Sequence, residues 1–417
     1  MKMEEKHNSK SRKRLGRRRE DTLSSWSDLP LDLVNLVLER LGFADFQRAK
    51  SVCSSWYSAS RQRLSKNNHI PWLILFPKEN NYLLWSKKGK KNYDTCCRLF
   101  YPKEKDKLYR TKDLGLEFSR SVCMKTYGSW LLMRDPLNNL YIVNLSTQER
   151  INLPPTESQL GKTKMERTRW CVAADMRKKD IVDGVWFRID GHEYKGISIT
   201  CPLFWIDEKT KDHVVIWGLA SKCVVYSKKG DTSWTQIPKT SGCCNMVYND
   251  HKLYFLSNSN RFKIFDFSGE IPRQTFQRGY NKDEYPRIGP IISTKLVVTV
   301  RGEVLKVVKK QKRGCGCFST CWSFRVSKVF SSGFLKKHEL VHSLGDESLL
   351  WDQGITVLAN DTGGFIRNSI YFSDCNGINN IFLYNLETEK TEQLHTFGSS
   401  SVQYSRARWF LPSFRHT

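Results

Sequence analysis

Residues 26–57 begin Trp26-Ser-Asp-Leu29-Pro30-Leu-Asp-Leu33-Val-Asn-Leu-Val37-Leu-Glu-Arg-Leu41-Gly42-Phe-Ala-Asp45-Phe46 and end Ala49-Lys-Ser-Val52-Cys53-Ser-Ser-Trp56-Tyr57. The spacing of the apolar residues predicts two short helices. Together these helices carry too little apolar surface to fold by themselves. The rest of the chain is rich in strand-forming residues, so we expect a small helical domain followed by a large β domain.

The first helix is predicted from its ends as well as from its spacing. Pro30 suits a first helical position, and Asp28 is expected to cap the turn. Asp32 adds negative charge where the helix dipole favours it, and Gly42 is a good stop residue. The predicted apolar stripe at three-and-four spacing consists of Leu33, Leu36, Val37, Arg40 and Leu41.

The second helix is predicted to begin at Asp45, which can serve as its cap. Its apolar side would consist of Phe46, Ala49, Val52, Cys53 and Trp56. Periodicity alone leaves an alternative open, in which the two helices form an ordinary hairpin that covers the core of the β domain.

The same residues resemble the F-box over Trp26 to Leu64. The resemblance lies in Leu-Pro followed by an acid and Leu, in a Val/Leu run that ends in Arg-Leu, and in Val-Cys-x-x-Trp. In that family these residues pack on the Skp adaptor of an SCF ubiquitin ligase. The adaptor contacts that the resemblance implies are Leu29, Pro30, Leu33, Val37, Leu41, Val52, Cys53 and Trp56.

The chain is strongly basic, since 68 Lys and Arg against 42 Asp and Glu give a net charge of +26 over 417 residues. Such an excess favours acidic partners, with nucleic acid first among them. Part of the charge lies in residues 1–24, which we interpret as a disordered basic arm. The arm contains a candidate nuclear import signal, with a solvated tail as the alternative. Its residues are Arg12, Lys13, Arg14, Arg17, Arg18 and Arg19.

The remaining basic residues are spread as Lys-Lys pairs such as Lys87-Lys88 and Lys309-Lys310, and they form no single stripe. A basic nucleic-acid-binding or chromatin-associated protein is therefore kept as the alternative function, although nucleic acid is the less favoured partner. No secretory h-region follows the N-terminus, and no apolar run approaches the roughly 20 residues of a membrane helix. We expect a soluble protein of the nucleus and/or cytoplasm, without a membrane partner, whose 13 cysteines are reduced.

Beyond Ile70 short apolar runs alternate with polar turns, as half-buried strands should. Four of these runs start a weak internal repeat, and they end at Val143, Tyr226, Phe265 and Tyr384. The intervals are 83, 39 and 119 residues, which fit two, one and three steps of roughly 40 residues. A period near 40 is typical of propeller blades.

The predicted fold class is therefore α+β multidomain, with a small N-terminal helical F-box and a large all-β domain. For the β domain we favour a kelch-like β-propeller over a non-repetitive sandwich or barrel, because a closed ring leaves no long free strand edge. The predicted domains are the basic arm at 1–24, the F-box at 25–65 and the propeller-like substrate-binding domain at 70–412.

The β region also resembles part of a plant family. The similarity lies in Ser343-Leu-Gly-Asp-Glu-Ser-Leu-Leu350, Arg367-Asn-Ser-Ile-Tyr-Phe-Ser-Asp374, Asp231-Thr-Ser-Trp-Thr-Gln-Ile237 and the ending Arg408-Trp409-Phe410-Leu-Pro412. Members of this family carry an N-terminal F-box and a C-terminal kelch-like domain of unknown function (DUF295-type). The resemblance implies a substrate-recruiting subunit of an SCF ligase, and it implies no particular substrate.

A cysteine-rich stretch offers the only alternative chemistry, a zinc site of Cys315, Cys317, Cys321, His338 and His342. The gaps do not fit a zinc finger, so we expect loop cysteines, no metal and no cofactor. Nucleotide-binding and hydrolase motifs are missing from the sequence, and no carboxylate pair stands out. The sequence thus predicts a non-catalytic adaptor that binds a Skp-type adaptor, through it cullin and RING subunits, and an unknown protein substrate.

Overall fold

The structure is a computed structural model. It describes residues 26–41, 48–49, 51–67, 71–76, 96–101, 107–168, 186–189, 192–195, 198–259, 261–279, 291–311, 322–329, 339–359, 365–373, 380–396 and 407–410. The chain divides into two compact units, with the boundary between Asn67 and Asn68. The first is helical, and the second is built almost entirely of strands.

The helical unit begins with a 3-10 turn, Trp26–Asp28, followed by helix α1 at Leu31–Arg40. Pro30 is the N-cap, with φ −54° and ψ 144°, and its carbonyl accepts the first helical hydrogen bond from the Val34 amide at 3.0 Å. This differs from the expectation that Pro30 is the first helical residue and Asp28 the cap. The helix start has no side-chain capping hydrogen bond, because the fixed φ of proline already sets the chain direction there.

The second predicted helix is wrong as a single element. Arg48 and Ala49 are helical, but a turn follows, in which the amides of Ser51 and Val52 donate to the carbonyls of Arg48 and Ala49. A separate helix, α2, then spans Ser54–Asn67. Trp56 therefore lies on α2, and Val52 and Cys53 lie in the connection before it. The predicted stop at Gly42 and cap at Asp45 lie outside the described residues.

Within the described residues, the strands of the second unit form six blades around a ring, and a short helix, α3 at Gly115–Arg120, precedes the second blade. Starting from its innermost strand, the first blade consists of β28 (Arg408–Phe410), β1 (Trp72–Leu75), β2 (Arg98–Phe100) and β3 (Leu108–Arg110). The second consists of β4 (Val122–Tyr127), β5 (Trp130–Arg134), β6 (Leu140–Asn144) and β7 (Arg150–Asn152).

The third blade consists of β12 (Ile199–Ile206), β13 (His213–Leu219), β14 (Cys223–Lys228), β15 (Trp234–Ile237) and an added outer strand, β8 (Gln159–Leu160). The fourth consists of β16 (Cys243–Asn249), β17 (Lys252–Ser257), β18 (Arg261–Asp266) and β19 (Arg273–Gly279). A separate three-stranded sheet is formed by β9 (Met165–Thr168), β10 (Trp186–Ile189) and β11 (His192–Lys195).

The fifth blade consists of β20 (Ile291–Val298), β21 (Val304–Gln311) and β22 (Trp322–Lys328), with a single bridge from Ser327 to Leu340. The sixth consists of β24 (Ile355–Leu358), β23 (Glu347–Leu350), β25 (Ser369–Ser373), β26 (Asn380–Asn385) and β27 (Thr391–Thr396). A parallel bridge between Val298 and Ile355 joins these two blades at their inner edge.

The ring is closed by the two ends of the unit, because β28 near the C-terminus pairs antiparallel with β1. In this pair Leu73 lies opposite Trp409, and both side chains are almost fully buried. They pack in one apolar cluster with Tyr371 and Leu383 of the sixth blade. The first blade is thus completed by the chain end and packed against the last blade. The expected propeller is confirmed, and no free inner edge is left at the join.

The predicted repeat identifies blades, but the number of steps between its copies is wrong. Strands β6 and β14 are the third strands of adjacent blades, so the 83-residue interval is one step. The extra length is occupied by β8 and by the separate sheet of β9, β10 and β11. Likewise β18 and β26 lie two blades apart, so the 119-residue interval is two steps. An insertion close to one period in length made one step look like two.

The polar turn of the repeat has a specific hydrogen-bonding chemistry. In the turn after β6 the Asn144 side-chain oxygen accepts the amides of Ser146 and Thr147, at 2.8 and 3.0 Å. The Asn385 side chain does the same for the two corresponding amides after β26. Gln148 and Glu389, four residues after each asparagine, both have positive φ. Asn-Leu-x-Thr therefore encodes a local turn that reverses the chain between two strands.

Candidate functional site

The helical unit has a small apolar core. Its fully buried side chains are those of Val34 and Leu38 on α1, of Ala49, and of Trp56 and Ala59 on α2, and Leu29, Val37, Leu41 and Cys53 pack around them half-buried. Val34 and Leu38 are four residues apart and so lie on one side of α1. This side, and not the predicted stripe of Leu33 and Leu36, faces α2.

Trp56 is the largest side chain of this core and is 5% exposed. Its indole nitrogen donates a hydrogen bond to the Trp26 carbonyl oxygen at 2.9 Å. The two indole rings also meet edge to face, with centroids 6.1 Å apart. Trp56 thus ties the 3-10 turn to α2 and is satisfied within the unit.

The opposite side of α1 is also apolar, and it is exposed. Six of the ten residues of Leu31–Arg40 are Leu or Val, which is more than one buried stripe requires. Leu33 and Leu36 are 43% and 49% exposed, and their three-residue spacing places them on one face. We define the outer face as the exposed apolar residues Pro30, Leu31, Leu33, Leu36 and Val52. A small helical unit with this much exposed Leu and Val is typical of a protein interaction surface.

The eight adaptor contacts implied by the F-box resemblance fall into three groups. Pro30, Leu33 and Val52 are exposed on the outer face. Trp56 is buried and holds the unit together. The remaining four lie half-buried at the border between core and surface, and they are Leu29, Val37, Leu41 and Cys53. A hydrogen bond with the Ser55 hydroxyl, whose oxygen is 3.0 Å from the sulfur, lowers the pKa of the Cys53 thiol.

Three exposed residues were not assigned to the site from the sequence: Leu31, Leu36 and Trp26, the last of which is 67% exposed. A signal for Leu36 was present. Once Val34, Leu38 and Leu41 are assigned to the core at three-and-four spacing, Leu33 and Leu36 remain as a second apolar pair. The exposure of Trp26 depends on the turn before α1, which the helical period does not describe.

The β unit carries a second site, at the inner strands of the propeller. Lys125 lies on β4, Lys295 on β20 and Arg408 on β28, and Asp352 lies in the turn before β24. We call these four residues the charged ring. Beside them Cys201 of β12 and Asn245 of β16 contribute polar groups, so that every blade supplies at least one residue. No sequence motif pointed to this constellation.

β-bulges interrupt the pairing of the inner strands near the charged ring. The register shifts in β4 between Cys123 and Lys125, in β12 between Thr200 and Leu203, in β16 after Cys243, and in β20 after Ile291. A bulge locally redirects side chains and is common next to functional sites. It thereby changes the alternation of buried and exposed side chains where the charged residues lie.

The two lysines of the charged ring bind the same short turn. The Lys125 ammonium donates to the Gln353 carbonyl oxygen at 2.6 Å, and the Lys295 ammonium donates to the Trp351 carbonyl oxygen at 3.0 Å. The Lys295 nitrogen is 4.0 Å from a carboxylate oxygen of Asp352. Arg408 donates to the Cys123 carbonyl oxygen at 3.4 Å. Neutral carbonyls thus receive most of these donors, while a single carboxylate balances three cations.

The crowding of positive charge is visible in the pKa of Lys125. Burial, together with repulsion from Lys295 and Arg408, lowers this pKa to about 7. Part of the Lys125 side chain still faces solvent, as do parts of Lys295, Asp352 and Arg408. A hydrogen bond with the Cys243 thiol, helped by the charge of Lys295, lowers the pKa of the Cys201 thiol.

Other candidate residues from the sequence are not placed by the structure. The import residues Arg12, Lys13, Arg14, Arg17, Arg18 and Arg19 lie outside the described residues, as do Cys315, Cys317, Cys321 and His338. His342 is described and is exposed. Among the described residues no group of three His, Cys, Asp or Glu side chains is arranged to hold a metal ion. In the same part of the chain, no helix has the length and apolarity needed to span a membrane.

Comparison with known proteins matches both units. The F-box domain model matches residues 26–68, and the KIB1-4 beta-propeller model matches residues 99–385. "Putative F-box protein At4g22180" of Arabidopsis thaliana is 54% identical, over 99% of this chain and 99% of its own. "Probable F-box protein At4g22165" of the same plant is 51% identical, over 94% of this chain and 98% of its own.

These matches agree with the order of the two units along the chain and with the closed ring of strands. The kelch-like, DUF295-type detail of the expected resemblance stays a prediction, because the matching propeller model is the KIB1-4 one. F-box and propeller domains are typical of non-catalytic adaptors in SCF ubiquitin ligases. The chain belongs to the plant F-box proteins that join an N-terminal F-box domain to a KIB1-4 beta-propeller.

Proposed function

We propose that this protein is the substrate-recognition subunit of an SCF-type E3 ubiquitin ligase. In this proposal the F-box binds a Skp-type adaptor, which links the chain to cullin and RING subunits. The propeller recruits a target protein for ubiquitination. The observation that carries the proposal is the outer face, an exposed apolar surface on an F-box unit whose own core is already complete.

The outer face offers enough apolar surface to anchor a partner. Full burial of a leucine side chain contributes about 1.5–3 kcal/mol. Leu33 and Leu36 retain 43% and 49% of their exposure, so covering the rest contributes roughly 0.7–1.5 kcal/mol each. Leu31 and Val52 are each 49% exposed and add contributions of the same order. Together these residues could supply several of the contacts that dominate an interface.

The function requires no catalytic residue in this chain. A subunit that holds a substrate beside a ubiquitin-charged enzyme raises the local concentration of the two reactants. The rate gain then depends on two binding surfaces and on their separation. This is consistent with the outer face on one unit and the solvent-reachable polar ring on the other.

The proposal is tested by purifying the tagged full-length protein from plant cells and identifying the bound subunits by mass spectrometry. The test variant is Leu33→Asp with Leu36→Asp, which places two charges on the outer face. The matched control is Ser58→Asp, an exposed residue on α2. We expect Skp and cullin subunits with wild type and with the control, and their loss with the test variant. If wild type is purified folded without a Skp adaptor, the proposal is wrong.

Two parts of the expected biology rest on the sequence alone. Location in the nucleus and/or cytoplasm, with import through Arg12 to Arg19, stays a prediction. The nucleic-acid-binding alternative depends on the same arm, and it predicts binding that weakens steeply with salt. Deleting residues 1–24 separates these ideas from the ligase role, because that role does not use the arm.

A further inference from the structure

The charged ring has more positive than negative charge. Lys125, Lys295 and Arg408 contribute three positive charges, and Asp352 contributes one negative charge. The Asp352 side chain is only 6% exposed and already lies beside Lys295. Even with Asp352 ionised, the ring keeps a positive excess in a half-buried place. An uncompensated charge away from bulk water is costly, and it is usually paired or neutralised.

The protein compensates this excess only in part. The ammonium groups of Lys125 and Lys295 donate to the carbonyls of Gln353 and Trp351. A carbonyl carries a partial negative charge only, so a carboxylate brought into the ring would interact more strongly with the same donors. The pKa of Lys125, lowered to about 7 by burial and by its cationic neighbours, agrees with a ring that lacks negative charge.

The ring is reachable from solvent. The Lys295 side chain is 24% exposed, and Lys125, Asp352 and Arg408 each keep part of their surface accessible. The residues lie on separate inner strands, so they point at a shared volume along the propeller axis rather than along one strand. A concave site lined by one sign of charge focuses the field and attracts a ligand of the opposite sign.

The neutral neighbours would suit a small polar ligand. The Asn245 side-chain oxygen accepts the Leu296 amide at 2.8 Å, which fixes the orientation of the side chain. Its amino group then points to the Cys201 sulfur at 4.0 Å. The Cys201 thiol donates to the Cys244 carbonyl oxygen at 3.2 Å. Cys201 therefore lies next to the charged ring and can report on its occupation.

We propose that the charged ring is a carboxylate-binding site that receives an acidic side chain of the protein substrate. This inference deepens the proposed function and rests on it for the word substrate. It predicts that recruited segments are rich in Asp or Glu, since Lys125 and Lys295 supply ammonium donors and Arg408 supplies a guanidinium. Removal of either lysine should weaken binding, because each provides a donor from a different blade.

The test uses the full chain alone, with alkylation of Cys201 by iodoacetamide followed by mass spectrometry. The probe is a hexaglutamate peptide whose ends are acetylated and amidated, so that only side-chain carboxylates are offered. We expect the peptide to slow alkylation of Cys201 at least fivefold, while Cys53 in the helical unit is unaffected. A local readout of this kind ignores peptide that binds elsewhere on the basic surface.

The variants Lys125→Met and Lys295→Met should each remove this protection by raising the required peptide concentration at least tenfold. Lys252→Met is the matched control, since Lys252 is exposed on β17 and its loss changes the net charge equally. Melting curves establish that each variant is folded, and the two lysine variants back each other up. The control should keep the wild-type protection.

Three outcomes would overturn the inference. Cys201 could remain unprotected at millimolar peptide, or the protection could survive in both lysine variants. Citrate could protect Cys201 where the peptide fails, which would assign the ring to a free small carboxylate instead of a substrate side chain. Because no Skp adaptor is present, these results are independent of whether the outer face binds one. A failed adaptor experiment and a failed ring experiment can thus be told apart.

Discussion

Replacing Trp56 with alanine should unfold the helical unit. Trp56 is 5% exposed and fills the core between α1 and α2, and Trp→Ala changes in cores cost about 3–5 kcal/mol. The variant also loses the hydrogen bond from the indole to the Trp26 carbonyl. A unit with so few buried side chains rarely has more than about 3–5 kcal/mol of stability, so little should remain.

Hydrogen exchange of the full chain, followed by mass spectrometry of peptides that cover α1, measures this loss directly. A cost of about 3–5 kcal/mol corresponds to exchange that is roughly 10²–10⁴ times faster in α1. Trp26→Ala is the control, because Trp26 is 67% exposed and gives up mainly an edge-to-face ring contact of about 0.5–1.5 kcal/mol. Exchange of α1 in the Trp56 variant within threefold of wild type would refute the assignment of this residue to the core.

Three further predictions concern the propeller. Asn385→Ala removes the oxygen that accepts two turn amides, so we expect a loss of about 1 kcal/mol in chemical denaturation, and an unchanged midpoint would contradict the turn chemistry. Trp409→Ala should cost about 3–5 kcal/mol and lower the melting temperature of the β unit, because the residue closes the ring against Leu73; a loss below 1 kcal/mol would argue against that closure. For Lys125 the pKa of about 7 in the folded chain lies below the ordinary value of 10.5, so the folded state holds fewer protons than the unfolded state between these pH values. Stability should therefore rise from pH 7 to 10 by up to about 1.4 kcal/mol per pH unit relative to Lys125→Met, and a pH-independent difference between the two proteins would contradict the buried ammonium.

Several features of the fold follow from local sequence patterns. The strands Leu140–Asn144 and Cys223–Lys228 are apolar runs with β-branched and aromatic residues, and the Asn-Leu-x-Thr turn after the first is set by one side chain. Strands of this kind are recognisable because their structure depends on neighbouring residues. The closing strand was also visible as Arg408-Trp409-Phe410, although nothing local indicates that it pairs with β1.

The blade count could not be obtained in the same way. The insertion that holds β9, β10 and β11 is about as long as a blade, so a spacing argument counts it as one. Hydrogen bonding, which the sequence spacing does not contain, shows that these strands form a separate sheet.

The helical unit illustrates a second limit. An apolar residue at helical spacing can face the core or a partner, and α1 has enough Leu and Val for both sides. The choice between Val34 and Leu33 as the inward residue depends on how α2 crosses α1. That crossing was not predictable once the turn at residues 51–53 was missed. The charged ring is harder still, because its members are separated by up to 283 positions and meet only when the ring closes.

The central claim is that the outer face of the F-box unit binds a Skp-type adaptor. The most direct measurement is the dissociation constant between the full-length chain and a purified Skp adaptor, for wild type, Leu33→Ala with Leu36→Ala, and the exposed control Ser58→Ala. We expect the double variant to bind roughly 10–100-fold more weakly, from about 1.5–3 kcal/mol of lost burial, while exchange in α1 and the affinity of the control remain unchanged. Equal affinity of a folded double variant and wild type would contradict the account.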